Sequence, residues 1–249
     1  MRTSRTTPIL VGLLVLGAAL AAFAPPASAQ TQADQATSVT FSKLQGPTED
    51  IQPLVDIKEV TGEVKITYVV NGCALLGNIE VKLTVSKQPS WAQVALAPAS
   101  LLFTPKGTAC QQQQITDQLP FKAFVFASAD APAFKSEALE FKADLVGQSG
   151  LKASSTVGQV FIKAGFYSIL EARVDNPIQL ARPQETVQIP IVITNFGNAP
   201  TKVSFNVDSS NKERLVPSQI TPVTVQSRVD GAANSQTVVL NAITPYHNG

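Results

Sequence analysis

Few residues in this chain are of the types that carry catalysis or bind metals. The sequence contains two cysteines, Cys73 and Cys110, and a single histidine, His247. One histidine excludes the usual multi-histidine metal sites and leaves no credible base for a Ser-His-Asp triad. The sequence also lacks a glycine-rich phosphate loop and a Gly-x-Ser-x-Gly elbow. We therefore predict no catalytic residue, no metal site and no cofactor.

Carboxylates and the sole tryptophan are the remaining candidates for binding chemistry. Asp50, Asp117, Asp130 and other acidic residues lie in or beside polar loops, where a solvated charge is the usual interpretation. Trp91 lies two residues after a proline, and we predict that it fills a hydrophobic core. A ring exposed for stacking on a sugar is the alternative. Only 6% of the residues are aromatic, whereas sugar-binding surfaces usually present several aromatic rings together.

The first 29 residues have the features of an export signal. Arg2 and Arg5 precede an apolar run over residues 9–24, and small residues end at Ala29. This order predicts cleavage between Ala29 and Gln30. The apolar run is shorter than the roughly 20 residues that a membrane-spanning helix needs. We expect an exported protein, extracellular or at the cell surface, in which residues 30–38 form a disordered lead-in.

Export also bears on the cysteines, because secreted chains enter an oxidising compartment. We predict a disulfide between Cys73 and Cys110, with two free thiols as the alternative. On the loop-entropy model, such a bond contributes roughly 3–4 kcal/mol to the free energy of unfolding.

The charges of the chain are nearly balanced. The 19 basic residues nearly balance the 18 acidic residues, and the basic residues form no stripe. This balance argues against binding to nucleic acid or to an anionic membrane.

Alternating apolar residues predict the β-strands that position the candidate residues described above. Residues 187–193 place Val or Ile at every second position, which is typical of a strand with one buried face. Asn195-Phe-Gly-Asn198 then supplies residues that tolerate turns. Alternation resumes over residues 201–208, so we predict a β-hairpin. Little of the remaining sequence after the signal has helical periodicity.

The same order of patterns occurs once earlier in the chain, over residues 63–86. Later segments of the two halves also match, which predicts an all-β protein of tandem Ig-like β-sandwich domains over residues 39–165 and 166–249. Residues 139–145 have no match in the second half, so we expect the second domain to lack its last strand. Either the natural chain continues beyond residue 249, or a partner strand completes the sheet. Residues 174–183 contain two prolines and are predicted to be a stiff linker between the domains.

Two segments resemble known families of exported domains. Residues 187–199 are similar to the CARDB and NEW3 families of Ig-like domains, and residues 89–91 and 97–107 resemble the NEW3 type. The resemblance implies seven-stranded sandwiches, a non-catalytic role and attachment to the cell surface. Attachment in these families often uses a C-terminal membrane helix, which this sequence does not contain.

These observations lead to two functional hypotheses. The first is a non-catalytic exported cell-surface protein that acts as a spacer, an adhesion module or a protein–protein interaction module. Its partner would be another protein or a component of the cell envelope, and it would meet the membrane only through a missing C-terminal anchor. The alternative is an accessory carbohydrate-binding part of a secreted glycoside hydrolase.

Overall fold

The computed structural model contains only β-strands and one short 3-10 turn among the residues that it describes. Those residues are 37–70, 77–105, 113–146, 151–206, 216–217, 221–244 and 246. The predicted signal peptide, the Ala29/Gln30 cleavage site, both cysteines and His247 lie outside these ranges. Within these ranges, no helix is long and apolar enough to cross a membrane.

The N-terminal half contains two four-stranded antiparallel sheets. Its strands are β1 (Thr37–Gln45), β2 (Ile57–Val70), β3 (Ile79–Lys87), β4 (Ala92–Ala97), β5 (Ser100–Phe103), β6 (Gln113–Ala127), β7 (Ser136–Leu145) and β8 (Ser154–Lys163). One sheet has the order β1-β2-β6-β4, and the other has the order β5-β3-β7-β8. The strand expected over residues 139–145 is therefore confirmed as β7.

The two N-terminal sheets share one hydrophobic core. Residues at alternate positions of both sheets are buried in the same cluster, so the sheets face one another in a sandwich-like arrangement. Phe121 of β6 meets Phe141 of β7 across the core with ring centroids 5.8 Å apart. Gly62 of β2 makes room for the Phe121 ring, because a Cβ atom at Gly62 would lie 2.2 Å from it. This packing buries the side chains and leaves the strand edges and end loops at the surface.

The C-terminal half contains six strands. They are β9 (Leu170–Val174), β10 (Thr186–Asn195), β11 (Thr201–Val203), β12 (Val216–Pro217), β13 (Val223–Val225) and β14 (Ser235–Ile243), and a 3-10 turn spans Arg228–Asp230. A four-stranded sheet has the order β12-β14-β10-β9, and β11 pairs with β13 in a second sheet. Ile193, Val225 and Val238 form a separate and smaller buried cluster between these sheets.

Six strands of each half are arranged in the same order. The order β9-β10-β14-β12 repeats β1-β2-β6-β4, and the pair β11-β13 repeats β3-β5. β7 and β8 have no counterpart among the described residues of the C-terminal half. The sequence comparison had identified only the first of these two strands, β7.

The predicted β-hairpins are wrong. β10 pairs with β14 and β9, whereas β11 pairs with β13 in the other sheet. β2 and β3 are likewise divided between the two N-terminal sheets. The chain therefore passes from one sheet to the other between β2 and β3 and between β10 and β11. Alternation identified the strands correctly, but a period of two does not specify which strand pairs with which.

The predicted linker over residues 174–183 is also wrong. This segment connects β9 to β10, which pair with each other in one sheet through contacts such as Ile191 with Val174. It therefore lies within the C-terminal half. The chain passes between the halves at residues 164–169, which follow β8 and precede β9.

Candidate functional site

The turn Asn195-Phe-Gly-Asn198 lies where the two halves meet, and it contains two buried amide side chains. Asn195 is fully buried at the end of β10. Its Oδ1 accepts a hydrogen bond from the Gly197 N–H at 2.9 Å, and its Nδ2 donates to the carbonyls of Ala199 and Val225 at 2.9 and 3.1 Å. Val225 belongs to β13, so Asn195 fastens the turn to the second C-terminal sheet.

Asn198 connects the turn to the N-terminal half. Its side chain is 2% exposed, and its Nδ2 donates to the carbonyl oxygens of Ala131 and Gly165 at 2.9 and 2.8 Å. Its Oδ1 accepts from the Tyr167 N–H at 2.7 Å. The Asn198 carbonyl also accepts from the Ala133 N–H at 3.3 Å. One side chain thus satisfies three backbone groups on the segments where the halves meet, and buried polar groups left unpaired are costly.

Close backbone packing completes this joint. Ser227 is fully buried, and its Oγ donates to the Gly197 carbonyl at 2.8 Å. A Cβ atom at Gly197 would lie 2.4 Å from the Tyr167 carbonyl oxygen, so only glycine fits here without displacing backbone. An ion pair joins Arg228 to Asp130 at 2.8 Å, but both side chains are largely exposed. Such a pair contributes little to stability, and the buried amides are the main connection.

The inner face of β10 is less covered than the matching face of β2. Val64 and Ile66 are fully buried, and Tyr68 is 1% exposed. The residues that matched them in sequence, Val187, Ile189 and Ile191, are only partly buried. On the adjoining strand β9, Leu170 remains 40% exposed. The C-terminal sheets therefore leave a strip of apolar surface that the N-terminal sheets bury.

Trp91 lies in the core, as the preferred prediction held. It is 3% exposed, and its Nε1 donates to the Glu137 carboxylate at 3.2 Å. The alternative prediction, an exposed ring that stacks on sugar, is wrong for this residue.

An exposed aromatic pair lies elsewhere, beside the joint. Phe134 and Phe166 are stacked with centroids 6.4 Å apart and an interplanar angle of 7°, and they are 59% and 42% exposed. Lys163 lies 5.8 Å from the Phe134 ring centroid and pairs with Asp50 at 3.0 Å. Sequence reasoning missed this pair, because the two residues are distant in sequence and neither belongs to an alternating pattern.

Acidic residues in and beside the loops, considered above for binding chemistry, form separate ion pairs. Glu49, Asp50 and Asp144 pair with three different lysines, at 2.7, 3.0 and 2.8 Å respectively. The parts of the chain that the structure describes contain no group of three or more His, Cys, Asp or Glu side chains arranged to hold a metal ion.

Comparison with known proteins adds no family. No protein-family model matches the chain, and no curated protein matches it. A structure of a protein of unknown function from Porphyromonas gingivalis W83 is similar with 13% identity, a TM-score of 0.26 and coverage of 84% of this chain and 83% of the other. The E. coli chaperone DraB is similar with 10% identity, a TM-score of 0.29 and coverage of 85% and 89%. Likeness at this level carries no argument about function.

Proposed function

We propose that this protein is a non-catalytic, exported cell-surface protein of two Ig-like β-sandwich domains. It acts as a spacer that holds its surfaces at a fixed separation and presents them for contact with another protein. The strand order of the N-terminal half supports the Ig-like assignment. Its sheets β1-β2-β6-β4 and β5-β3-β7-β8 follow the ABED and CFG arrangement of Ig domains, with β5 as an added edge strand. The resemblance to CARDB and NEW3 domains belongs to the same proposal.

The buried joint is the observation that carries the spacer role. Domains joined only by a flexible linker move freely, whereas Asn198 bonds to Ala131 of the N-terminal half and to Gly165 and Tyr167 of the connecting segment. A fixed angle between the domains keeps the outer loops and strand edges at a constant separation. That property suits a protein whose task is display and contact.

Distance measurements between the domains test this role. Spin labels would be placed at the exposed residues Thr84 on β3 and Gln236 on β14, through unnatural amino acids that leave Cys73 and Cys110 native. We expect one narrow distance distribution for the wild-type chain and a broader one for Asn198→Ala. A broad distribution in the wild type would refute the fixed-spacer role.

Export is tested separately on native cells. A membrane-impermeant amine reagent applied to intact cells should label the protein, and a cytoplasmic control protein should stay unlabelled. Labelling only after lysis would refute surface exposure. The mass of the native protein would then report whether cleavage precedes Gln30 and whether Cys73 and Cys110 are oxidised.

The exposed Phe134–Phe166 pair favours a second candidate, a carbohydrate-binding part of a secreted hydrolase. An aromatic face can stack on the C–H face of a sugar, and the neighbouring Lys163–Asp50 pair offers hydrogen-bonding groups. The test applies the wild type, Phe134→Ala and Trp91→Phe to insoluble polysaccharide. Retention of the wild type and of Trp91→Phe, together with loss of retention in Phe134→Ala, would support this candidate. Equal elution of all three proteins with the unbound fraction would reject it.

A further inference from the structure

We propose that Phe134 and Phe166 form a rigid stacking platform for an uncharged polysaccharide. This inference rests on the carbohydrate-binding candidate above, and it adds the class of sugar chain that the site accepts. It does not depend on the spacer role.

Backbone bonds fix the position of Phe134. Its N–H donates to the Ala164 carbonyl at 2.9 Å, and the preceding residue, Ala133, forms a parallel bridge with Ala164. Ala164 also forms a parallel bridge with Ile51, and the Gly165 N–H donates to the Ile51 carbonyl at 2.8 Å. These bonds hold Phe134 at a φ of 62°, a conformation that bulky residues rarely adopt and that the surrounding structure must maintain.

The buried Asn198 amide fixes the backbone on both sides of Phe166. Its Nδ2 donates to the Gly165 carbonyl at 2.8 Å, and its Oδ1 accepts from the Tyr167 N–H at 2.7 Å. The rings of Phe134 and Phe166 therefore keep their near-parallel arrangement while they remain 59% and 42% exposed. A surface that is rigid before binding loses little conformational freedom when a ligand stacks on it.

A pyranose ring suits this surface. The C–H groups on its faces are apolar and carry partial positive charge, whereas the face of an aromatic ring is negative. Stacking therefore buries apolar surface on both partners and leaves the sugar hydroxyl groups free at the ring edge to form hydrogen bonds with polar neighbours.

The charges beside the rings cancel. Lys163 lies 5.8 Å from the Phe134 ring centroid and pairs with Asp50 at 3.0 Å. Lys135, the residue after Phe134, pairs with Glu137 at 3.2 Å. A charged ligand would have to separate one of these pairs, whereas the hydroxyl groups of an uncharged sugar can bond to them as they stand. The platform therefore favours an uncharged chain.

Biolayer interferometry on immobilised polysaccharides tests the class of ligand. Hydroxyethyl cellulose, dextran and guar galactomannan would each be attached through the reducing end, beside the carboxymethyl derivative of the same polymer. The two members of a pair share a sugar backbone and differ in charge. We expect the full chain to bind at least one uncharged polymer and to bind its carboxymethyl counterpart more weakly.

Aromatic substitutions locate the site. Phe134→Ala and Phe166→Ala should each weaken binding about five- to tenfold, because each removes one of the two rings. Phe134→Tyr keeps the ring and should bind like the wild type. Tyr246→Ala is the matched control, because Tyr246 is 66% exposed but follows β14, which ends beside Thr186 at the opposite end of β10 from Asn195.

A charge substitution tests the preference for an uncharged chain. Asp50→Asn removes the carboxylate that pairs with Lys163, so binding to the carboxymethyl polymer should increase relative to its uncharged counterpart. Glu59→Gln is the control, since it removes the partner of Lys122 on the other N-terminal sheet by the same change of charge. Its preference should equal that of the wild type.

Each contrary result overturns a defined part of the proposal. Equal binding by the wild type, Phe134→Ala and Phe166→Ala would refute the platform and would assign the carbohydrate-binding candidate to another site. A wild type that prefers a carboxymethyl polymer would refute the uncharged ligand and leave the stacking site. Absence of binding to all of these polysaccharides would refute both the platform and the candidate on which it rests. The interdomain distance distribution decides the spacer role separately.

Discussion

Replacing Asn198 by alanine tests the joint most directly. The substitution removes two donated hydrogen bonds, to Ala131 and Gly165, and one accepted bond, from Tyr167. Each typical hydrogen bond contributes about 1 kcal/mol net, so the three together amount to about 3 kcal/mol. Water entering the space left by the side chain would lower the cost, whereas backbone groups that stay dry and unpaired would raise it. For a chain of this size, about 3 kcal/mol corresponds to a fall in Tm of roughly 6–12 °C.

Urea unfolding with two probes separates loss of the joint from general damage. Trp91, the only tryptophan, reports on the N-terminal core, whereas far-UV circular dichroism reports on the strands of both halves. In the wild type, we expect the two curves to coincide. In Asn198→Ala, the circular dichroism curve should begin to fall at a lower urea concentration than the fluorescence curve, because the C-terminal half has the smaller buried cluster.

An exposed asparagine provides the matched control. Asn176 lies at the surface between β9 and β10, and its replacement by alanine should change stability by less than about 0.5 kcal/mol. If Asn198→Ala also stayed within about 0.5 kcal/mol of the wild type, with coincident curves, the proposed role of the amide in joining the halves would be refuted.

Three further substitutions test packing. Gly197→Ala should lower stability more than Asn198→Ala and should widen the interdomain distance distribution, because the added Cβ atom would lie 2.4 Å from a backbone carbonyl oxygen. An interdomain distance distribution like that of the wild type would contradict this prediction. Trp91→Phe removes the hydrogen bond to Glu137 but keeps most of the packing. Urea unfolding followed by circular dichroism should therefore show a free energy of unfolding that is lower by about 1–2 kcal/mol. An unchanged free energy would contradict a structural role for that bond. Ile66→Ala should cost about 2–5 kcal/mol in the same assay, whereas Ile189→Ala, at the matching but partly covered position, should cost roughly half as much; equal losses would contradict the difference in coverage.

Several elements were predictable from the sequence because their signals are local. The patterns over residues 63–86, 139–145 and 187–193 identified β2, β3, β7 and β10, since successive side chains of a strand point to opposite faces. The position of Trp91 after a proline, in a chain with few aromatic residues, favoured the core, and the ring is buried. These inferences depend on neighbours within a few residues.

Burial along β10 was predicted only in part. The pattern placed Val187, Ile189, Ile191 and Ile193 on one inward face, but only Ile193 is fully buried. A strand pattern shows which face is apolar, whereas the extent of burial depends on what packs against that face. The N-terminal half supplies β7 and β8 for this purpose, and the described C-terminal residues supply neither.

The sequence by itself determined the all-β class, the positions of the long strands and the order of patterns that both halves share. The tertiary structure decided that β10 and β11 belong to different sheets, that residues 174–183 connect two strands of one sheet, and that Asn198 joins the halves. The physical reason is distance along the chain. A period of two is set by the geometry of one strand, whereas strand pairing and the bonds of a buried amide join residues that are tens of positions apart.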